Sequence, residues 1–577
     1  MEVGTPQRSA LLAGVPQFAG LPDGALRELE TALEPRLVRA GEWLFREGDP
    51  SDRLCVVRSG RLRVVVESGE VALVARVLGP GATLGELGVL TGSPRSASVQ
   101  AVRDSELLEL GAAEFDSLLG RSPGLALRLA QQLAVQLQAS GGLDLPEAPA
   151  AIVAVVPAHA SLPIEGFCDA LERTFAAWGP VAVLDGQKAE AAAGDSRYGQ
   201  VVDRLEREHE HVLLVATPGL HGEEWNRFCM RQADRVLVLA DGRTPADLPV
   251  ADLLGCDLVF LGPVSAAAIR PWLRALEPRA HHLVGTGSAF SGDVARAARR
   301  VTRRALGVVL SGGGARGFAH IGVLDVLAQE GLEVDRVGGC SIGAFVGAMA
   351  ALGFDAEHMR TLCRQEFVRR SPFNDYTVPR VSLIRSRKAA AMLSRVFAEI
   401  QLEELPRPLF TVSADLLSSQ LVVHRDGPLR DAVGASMCLP GLAPPLATAG
   451  RLLVDGGVLN NLPVDLMAEG GEGPILASDV IRRLSPREAA DSSLPALPSL
   501  VETLSRATVL GSVERAESNR GLAQLVVTPE VQDIPLRDFT QLDRAAEAGR
   551  QAAQQTLADG GKEILLTLIR GESRHAD

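Results

Sequence analysis

Ser341 stands in the stretch Gly339-Cys340-Ser341-Ile342-Gly343, a short way after a glycine run, Ser311-Gly312-Gly313-Gly314-Ala315-Arg316-Gly317. Farther on the chain reads Asp455-Gly456-Gly457. A serine on a tight turn, a loop of unpaired backbone N–H groups and a carboxylate able to take a proton suit attack on an ester carbonyl. The hydroxyl adds to the carbon, the N–H groups hold the oxyanion, and the base removes the hydroxyl proton. A serine hydroxyl is a weak nucleophile at neutral pH, so the base has to be found. In a triad it is a histidine oriented by an acid. From residue 305 onward only His320, His358, His424 and His575 are available. His320 falls on a helix and His424 in a strand-like run, neither with a supporting motif, so both read as structural. Asp455 ends the apolar run Arg451 to Val454. That placement is expected to aim its side chain out of the carboxyl edge of a sheet, although a plain Asp-Gly-Gly turn has the same spelling.

These residues need particular elements to hold them. Ala305 to Leu310 reads as a strand that runs into the glycines. Ala319 to Glu330, with Ile321, Val323, Leu324, Leu327 and Ala328, reads as a helix that Gly331 stops. The glycine run therefore sits at a helix N-terminus, where free N–H groups and the macrodipole favour negative charge. The N–H groups of Gly313, Gly314 and Ala315 are expected to hold the oxyanion. A phosphate-binding turn is the alternative, and Arg316 and the serine unit that follows argue against a dinucleotide. That unit is a strand, Val334 to Gly338, then the serine turn, then an apolar helix, Ala344 to Leu352. Gly339 and Gly343 let the backbone reverse sharply and leave Oγ exposed.

With 577 residues the chain exceeds one core, and three or four domains are expected. Apolar residues make up 46% and charged residues 22%, ordinary globular usage. A formal charge of −13 disfavours nucleic-acid partners. Seven scattered cysteines show no metal spacing and read as thiols of a reducing compartment. No signal peptide and no spanning segment are legible, so a cytoplasmic protein, peripheral at a membrane at most, is expected.

Residues 1–140 are expected to form a small β-barrel followed by a helix. Leu54 to Val57, Leu62 to Val66 and Val71 to Val77 read as strands broken at Ser59-Gly60 and Ser68-Gly69. Ser122 and Pro123 open a helix with Leu125, Leu129, Leu133 and Leu137 on one stripe. Residues 141–150 look like a linker. Between 151 and 304, apolar runs at Ala151 to Val156, Pro180 to Leu184, Val212 to Ala216, Arg235 to Leu239 and Asp257 to Leu261 alternate with helical segments. This predicts a parallel sheet covered on both faces. Pro157 to Ser161 lacks the lysine of a working phosphate loop, which favours a scaffold. Residues 305–485 are expected to form the α/β block of the serine, and 486–577 a mostly helical extension of it whose sequence says nothing about chemistry.

Ser311 to Leu324, the serine turn, and Asp455 through Asn460, Asn461 and Pro463 resemble patatin-like phospholipases. Asp375-Tyr376-Thr377 and Ala435-Ser436 to Pro445 resemble the branch that includes neuropathy target esterase. Trp225, Cys229 and Gln232-Ala233-Asp234 resemble that branch's middle segment. The resemblance implies a patatin-like α/β hydrolase fold and a Ser341–Asp455 dyad without metal or catalytic cofactor. It also implies an oxyanion hole over Gly312, Gly313, Gly314, Ala315, Arg316 and Gly317, and an Asp-Gly-Gly motif completed by Gly456 and Gly457. The implied substrates are phospholipid and lysophospholipid esters; thioesterase or deacylase chemistry on the same dyad is an alternative. Gly85-Glu86-Leu87 with Arg95-Ser96 resembles the phosphate cassette of cyclic-nucleotide-binding domains. Arg95 would pair with the phosphate and Glu86 would accept from the ribose hydroxyl. This implies cAMP or cGMP as a regulator. A nucleotide receptor with an idle hydrolase fold is the reading from another class.

Overall fold

The computed structural model describes residues 29, 31–68, 71–121, 151–193, 198–216, 224–243, 253, 255–481, 503 and 510–571. The expected helix over Leu125 to Leu137, the linker at 141–150 and most of 482–509 lie outside the described residues. Two compact units make up the chain. One is Met1–Ala240 with Pro245–Leu258 and Leu276–Ala280; the other is His281–Asp577 with Asp241–Thr244 and Val259–Ala275.

The first unit opens with six antiparallel strands. They are β1 (Glu34–Val38), β2 (Trp43–Phe45), β3 (Arg53–Ser68), β4 (Val71–Leu78), β5 (Thr83–Leu84) and β6 (Ser98–Gly111). The order is β1-β6-β3-β4, with β2 on β6 and β5 on β3. Val38, Cys55, Val57, Leu62, Val99 and Leu107 fill the interior. Ser59-Gly60 does not break the strand as expected. β3 runs through it, with its register against β6 shifting between Val57 and Leu62. Gly60 has φ 93°, and a Cβ there would lie 2.4 Å from Ser105 Oγ. An irregular, bulged strand absorbs what looked like a turn.

Four strands of this unit lie parallel. β7 (Ile152–Pro157), β8 (Val181–Asp185), β9 (His211–Val215) and β10 (Arg235–Ala240) take the order β10-β7-β9-β8. All six residues of β7 are buried, as continuous apolar runs require when both faces are covered. β11 (Asp257–Leu261) and β12 (Ala280–Val284) follow in the chain. Asp234 tethers barrel to sheet. Its Oδ2 accepts from the Ala151 and Ile152 N–H groups, and its Oδ1 accepts from Arg61 of β3 at 3.0 Å. Arg61 and the fully buried Arg103 also share Glu206, at 2.7 and 2.6 Å.

The second unit is built on eight strands. They are β13 (Gly307–Leu310), β14 (Arg336–Cys340), β15 (Leu409–Asp415), β16 (Leu421–His424), β17 (Leu446–Thr448), β18 (Arg451–Asp455), β19 (Ile475–Ser478) and β20 (Leu525–Val527). The order is β17-β18-β15-β14-β13-β19-β20, with β16 on β15. β13 is flanked by parallel β14 and β19, β14 continues parallel to β15, and β18 returns antiparallel to β15. Helix α1 (Ala319–Gln329) follows β13 and α2 (Ile342–Ala351) follows β14. A third helix, α3 (Leu542–Thr556), packs on α1 at very close range. A Cβ on Gly322 would lie 1.9 Å from Ala546 O, and one on Gly549 would lie 1.9 Å from Ala319 O. The carboxyl-terminal segment is not only helical, since β20 adds a strand parallel to β19. No helix among the described residues is long and apolar enough to cross a membrane.

Candidate active site

Ser341 follows the last residue of β14 and precedes α2 with φ 54° and ψ −123°, a conformation that costs a non-glycine residue about 1–3 kcal/mol. The surroundings hold it there. Its N–H donates to Ser436 Oγ at 2.8 Å, and its carbonyl accepts the first α2 bonds from Ala344 and Phe345. The flanking glycines are required by contact. A Cβ on Gly339 would lie 2.5 Å from Gly343 O, and one on Gly343 would lie 2.3 Å from Leu310 O.

Asp455 reaches Ser341 by register. Cys340 pairs with Val412 across β14–β15, and Ser413, the next residue of β15, pairs with Asp455. Because β18 runs against the parallel strands, its direction does not aim Asp455 out of their carboxyl edge, as expected from sequence. Lateral pairing through β15 is what brings the carboxyl level with the serine turn. A Cβ on Gly456 would lie 2.4 Å from Val412 O, so only glycine fits behind it.

The Asp455 carboxyl is buried and accepts from the Gly457 N–H at 2.8 Å and the Cys340 thiol at 3.6 Å, and it shares one cavity with Ser341. Burial pushes its pKa up to about 6, and the Ser341 hydroxyl, the Gly457 N–H and the Cys340 thiol hold it from going higher. His320 bridges Ser478 Oγ at 2.8 Å and Ser311 O at 2.9 Å, and burial lowers its pKa to about 4. His424 pairs with Ser413 Oγ at 2.8 Å. Both histidines tie structural elements together.

Within the glycine run the N–H groups are divided. Gly312 N–H donates to Asn461 O, and Ala315 N–H donates to Leu536 O at 2.9 Å. Ala315 therefore does not present the free donor expected of it. Arg316 turns away as well, its guanidinium bonding Ile534 O and Gln532 O at 2.8 Å each. Gly317 lies under Ile342, with room for no Cβ. Among the described residues, the N–H groups of Gly313 and Gly314 are the ones in this run that make no bond. Gly312 lies against Ser341, since a Cβ there would be 3.1 Å from the serine Cβ.

Ser341, Asp455, Gly312, Gly313 and Gly314 line one cavity of about 570 Å³. Its other walls are mainly apolar, with Phe373, Met437, Leu442, Ile481, Leu536 and Phe539 among them. A space of this size holds one extended acyl chain beside a few polar groups. Sequence reasoning missed several contributors. Ser436 and Asn461 lie in stretches that carried a resemblance, yet nothing marked them as braces for the serine and the glycine run. Gln532, Leu536, Arg537 and Phe539 had no local signal at all.

In the barrel, Gly85 has φ 83°, and a Cβ there would lie 2.1 Å from Arg95 Nη1. Arg95 is buried, stacks 4.1 Å from the Phe45 ring and donates to Arg53 O at 2.9 Å, while its Nε is unpartnered. Ser96 is exposed. The side chains of Glu86 and Leu87 lie outside the described residues.

An elbow serine beside a glycine loop and a buried Asp-Gly-Gly carboxyl, over an apolar cavity, defines a patatin-type lipid ester hydrolase. Residues 308–468 match the patatin-like phospholipase family, 35–122 the cyclic nucleotide-binding domain and 150–250 the neuropathy target esterase family P-loop like domain. An uncharacterised NTE family protein of Mycobacterium tuberculosis is 34% identical over 96% of this chain and 97% of its own. The chain belongs to the neuropathy target esterase family. Human patatin-like phospholipase domain-containing protein 6 is 29% identical over 100% of this chain and 49% of its own length. Lysophospholipase NTE1 of Mycosarcoma maydis is 28% identical over 92% and 34%.

Gly314 has φ 55° and a Cβ there would sit 2.2 Å from Leu536 O. Gly314→Ala is therefore expected to displace the loop and cut ester turnover by about 10²–10³-fold, the usual cost of a lost oxyanion donor. Steady-state kinetics, run well below the lowered thermal midpoint that this clash entails, checks this.

Proposed function

We propose that the protein hydrolyses carboxylic esters of lysophospholipids and phospholipids with Ser341 as nucleophile and Asp455 as general base. The observation that carries this reading is that register across β14, β15 and β18 brings Ser341 and a buried carboxyl, its pKa raised to about 6, onto one cavity. Such a base is ionised at neutral pH and still basic enough to accept a proton as the C–O bond forms. Oγ attacks the acyl carbon while its proton passes to Asp455. The carbonyl oxygen, now negative, accepts from the Gly313 and Gly314 N–H groups. The tetrahedral adduct collapses by breaking the ester C–O bond, and the departing alcohol takes the proton from Asp455. Water then repeats the sequence on the acyl-serine, with Asp455 accepting its proton, and releases the fatty acid. The apolar cavity supports a single-chain lipid as the acyl donor.

We also infer that the barrel takes a cyclic nucleotide, cAMP or cGMP, as a regulatory ligand. Support comes from the family match over 35–122 and from Arg95, held beneath the Gly85 turn with Nε unused. The nucleotide phosphate would satisfy that charge.

Ser341→Ala and Asp455→Asn should each reduce lysophospholipid hydrolysis by about 10⁴-fold or more. Ser341→Ala should also abolish labelling by a fluorophosphonate, and Asp455→Asn should slow it strongly; Ser341→Ala turning over like the parent would end the reading. The active form of Asp455 is the carboxylate, present above its raised pKa and lost as pH falls through it. kcat/KM should therefore drop about tenfold per unit below pH ~6, a limb absent from residual Asp455→Asn activity. Calorimetric titration of the full chain with cAMP and with cGMP should show binding that Arg95→Ala abolishes; no heat with either nucleotide would refute the ligand.

A further inference from the structure

Residues 375–385 of the second unit form a short hairpin. Tyr376 pairs with Ile384, Thr377 N–H donates to Leu383 O at 3.0 Å, and Arg385 N–H donates to Asp375 O at 3.0 Å. Its base is rigid. Ile384 is fully buried, and the N–H groups of Leu383 and Ile384 bond Gly441 O and Leu442 O at 3.0 Å each. Its tip is the reverse. Tyr376, Val378 and Val381 are 61%, 77% and 71% exposed, and Pro379 and Arg380 between the valines are exposed too. Two β-branched residues held out in water at the tip of an anchored hairpin form a surface that folding has left uncovered.

Charge says what covers it. The whole chain carries −13, yet the segment 374–388 holds Arg380, Arg385, Arg387 and Lys388 against Asp375 alone. The guanidinium groups of Arg380, Arg385 and Arg387 form no ion pair among the described residues. A protein this acidic is repelled by an anionic bilayer unless it approaches through such a patch. The hairpin also adjoins the cavity. Phe373 and Arg537 both line it, and Arg537 donates to the Tyr376 hydroxyl at 3.0 Å and to Phe373 O at 3.4 Å.

We propose that this hairpin docks the protein on an anionic lipid bilayer. Val378 and Val381 enter the acyl–headgroup boundary, and Arg380, Arg385, Arg387 and Lys388 meet headgroup phosphates, beside the cavity that receives the lipid. The assignment deepens the lipid-esterase reading and rests on it for its purpose, but its test does not need turnover.

The full-length protein is mixed with vesicles of ether-linked phosphatidylglycerol or ether-linked phosphatidylcholine, which contain no cleavable ester, and partition is read by sedimentation. Binding is expected to the anionic vesicles, to weaken as salt rises, and to be slight for the zwitterionic ones. Val378→Asp with Val381→Asp should lower partition by roughly tenfold or more, since burying each valine accounts for at least that factor. Arg380→Glu with Arg385→Glu should do the same. Thermal midpoints matching the parent verify folding of both variants. A parent that does not prefer anionic vesicles, as expected if the tip serves a protein partner, overturns the proposal. So does folded variant protein of both kinds that binds them as tightly as the parent.

Discussion

A carboxyl group held out of water beside a hydroxyl is the constraint around which the catalytic unit is organised. Removing a charge from solvent costs several kcal/mol unless donors replace the lost water. For Asp455 those donors are the Gly457 N–H and the Cys340 thiol, and the Ser341 hydroxyl also lowers its pKa. The balance falls short of full compensation, and the shortfall is the rise in pKa to about 6. The burial that raises the pKa of the carboxyl is thus also what makes it an uncomfortable resident. It persists because β18 is pinned to β15, and β15 to β14, along a continuous hydrogen-bonded register.

Crowding of backbone against backbone then explains the neighbouring sequence. Gly339, Gly343, Gly312 and Gly456 each stand where a side chain would meet a carbonyl or a catalytic group within 3.1 Å. The strained φ of Ser341 is tolerated because Ser436 and the first turn of α2 hold its peptide groups from both sides. In the glycine run, some peptide groups anchor the loop and others do not. Gly312, Ala315 and Arg316 are tied to Asn461 and to the segment 532–536, and this keeps the loop from collapsing onto its own donors. Among the described residues, the N–H groups of Gly313 and Gly314 then meet no acceptor. Free donors of this kind exist only where neighbours supply rigidity.

Much of the catalytic unit was legible because its signals are short-range. A strand, a glycine-flanked serine and an apolar helix obey local backbone rules, so β13, α1, β14 and α2 lie close to where periodicity and turn residues put them. The regular alternation of apolar runs marked the strands from β7 to β11 for the same reason. Local rules also misled. Ser59-Gly60 has the composition of a turn, but pairing along β6 carries β3 through it.

What tertiary structure alone decided is how segments distant in the chain meet. The direction of β18, the bracing of the serine by Ser436 and the clamping of the glycine run by Asn461 depend on pairing partners that no window of neighbouring residues contains. The carboxyl-terminal segment is the plainest case. Its composition suggested plain helices, yet it contributes β20, the Leu536 carbonyl and a wall of the cavity. Turns and periodicity are fixed by torsions of a few adjacent residues. Register and packing are sums over many weak contacts, settled only when the whole sheet closes.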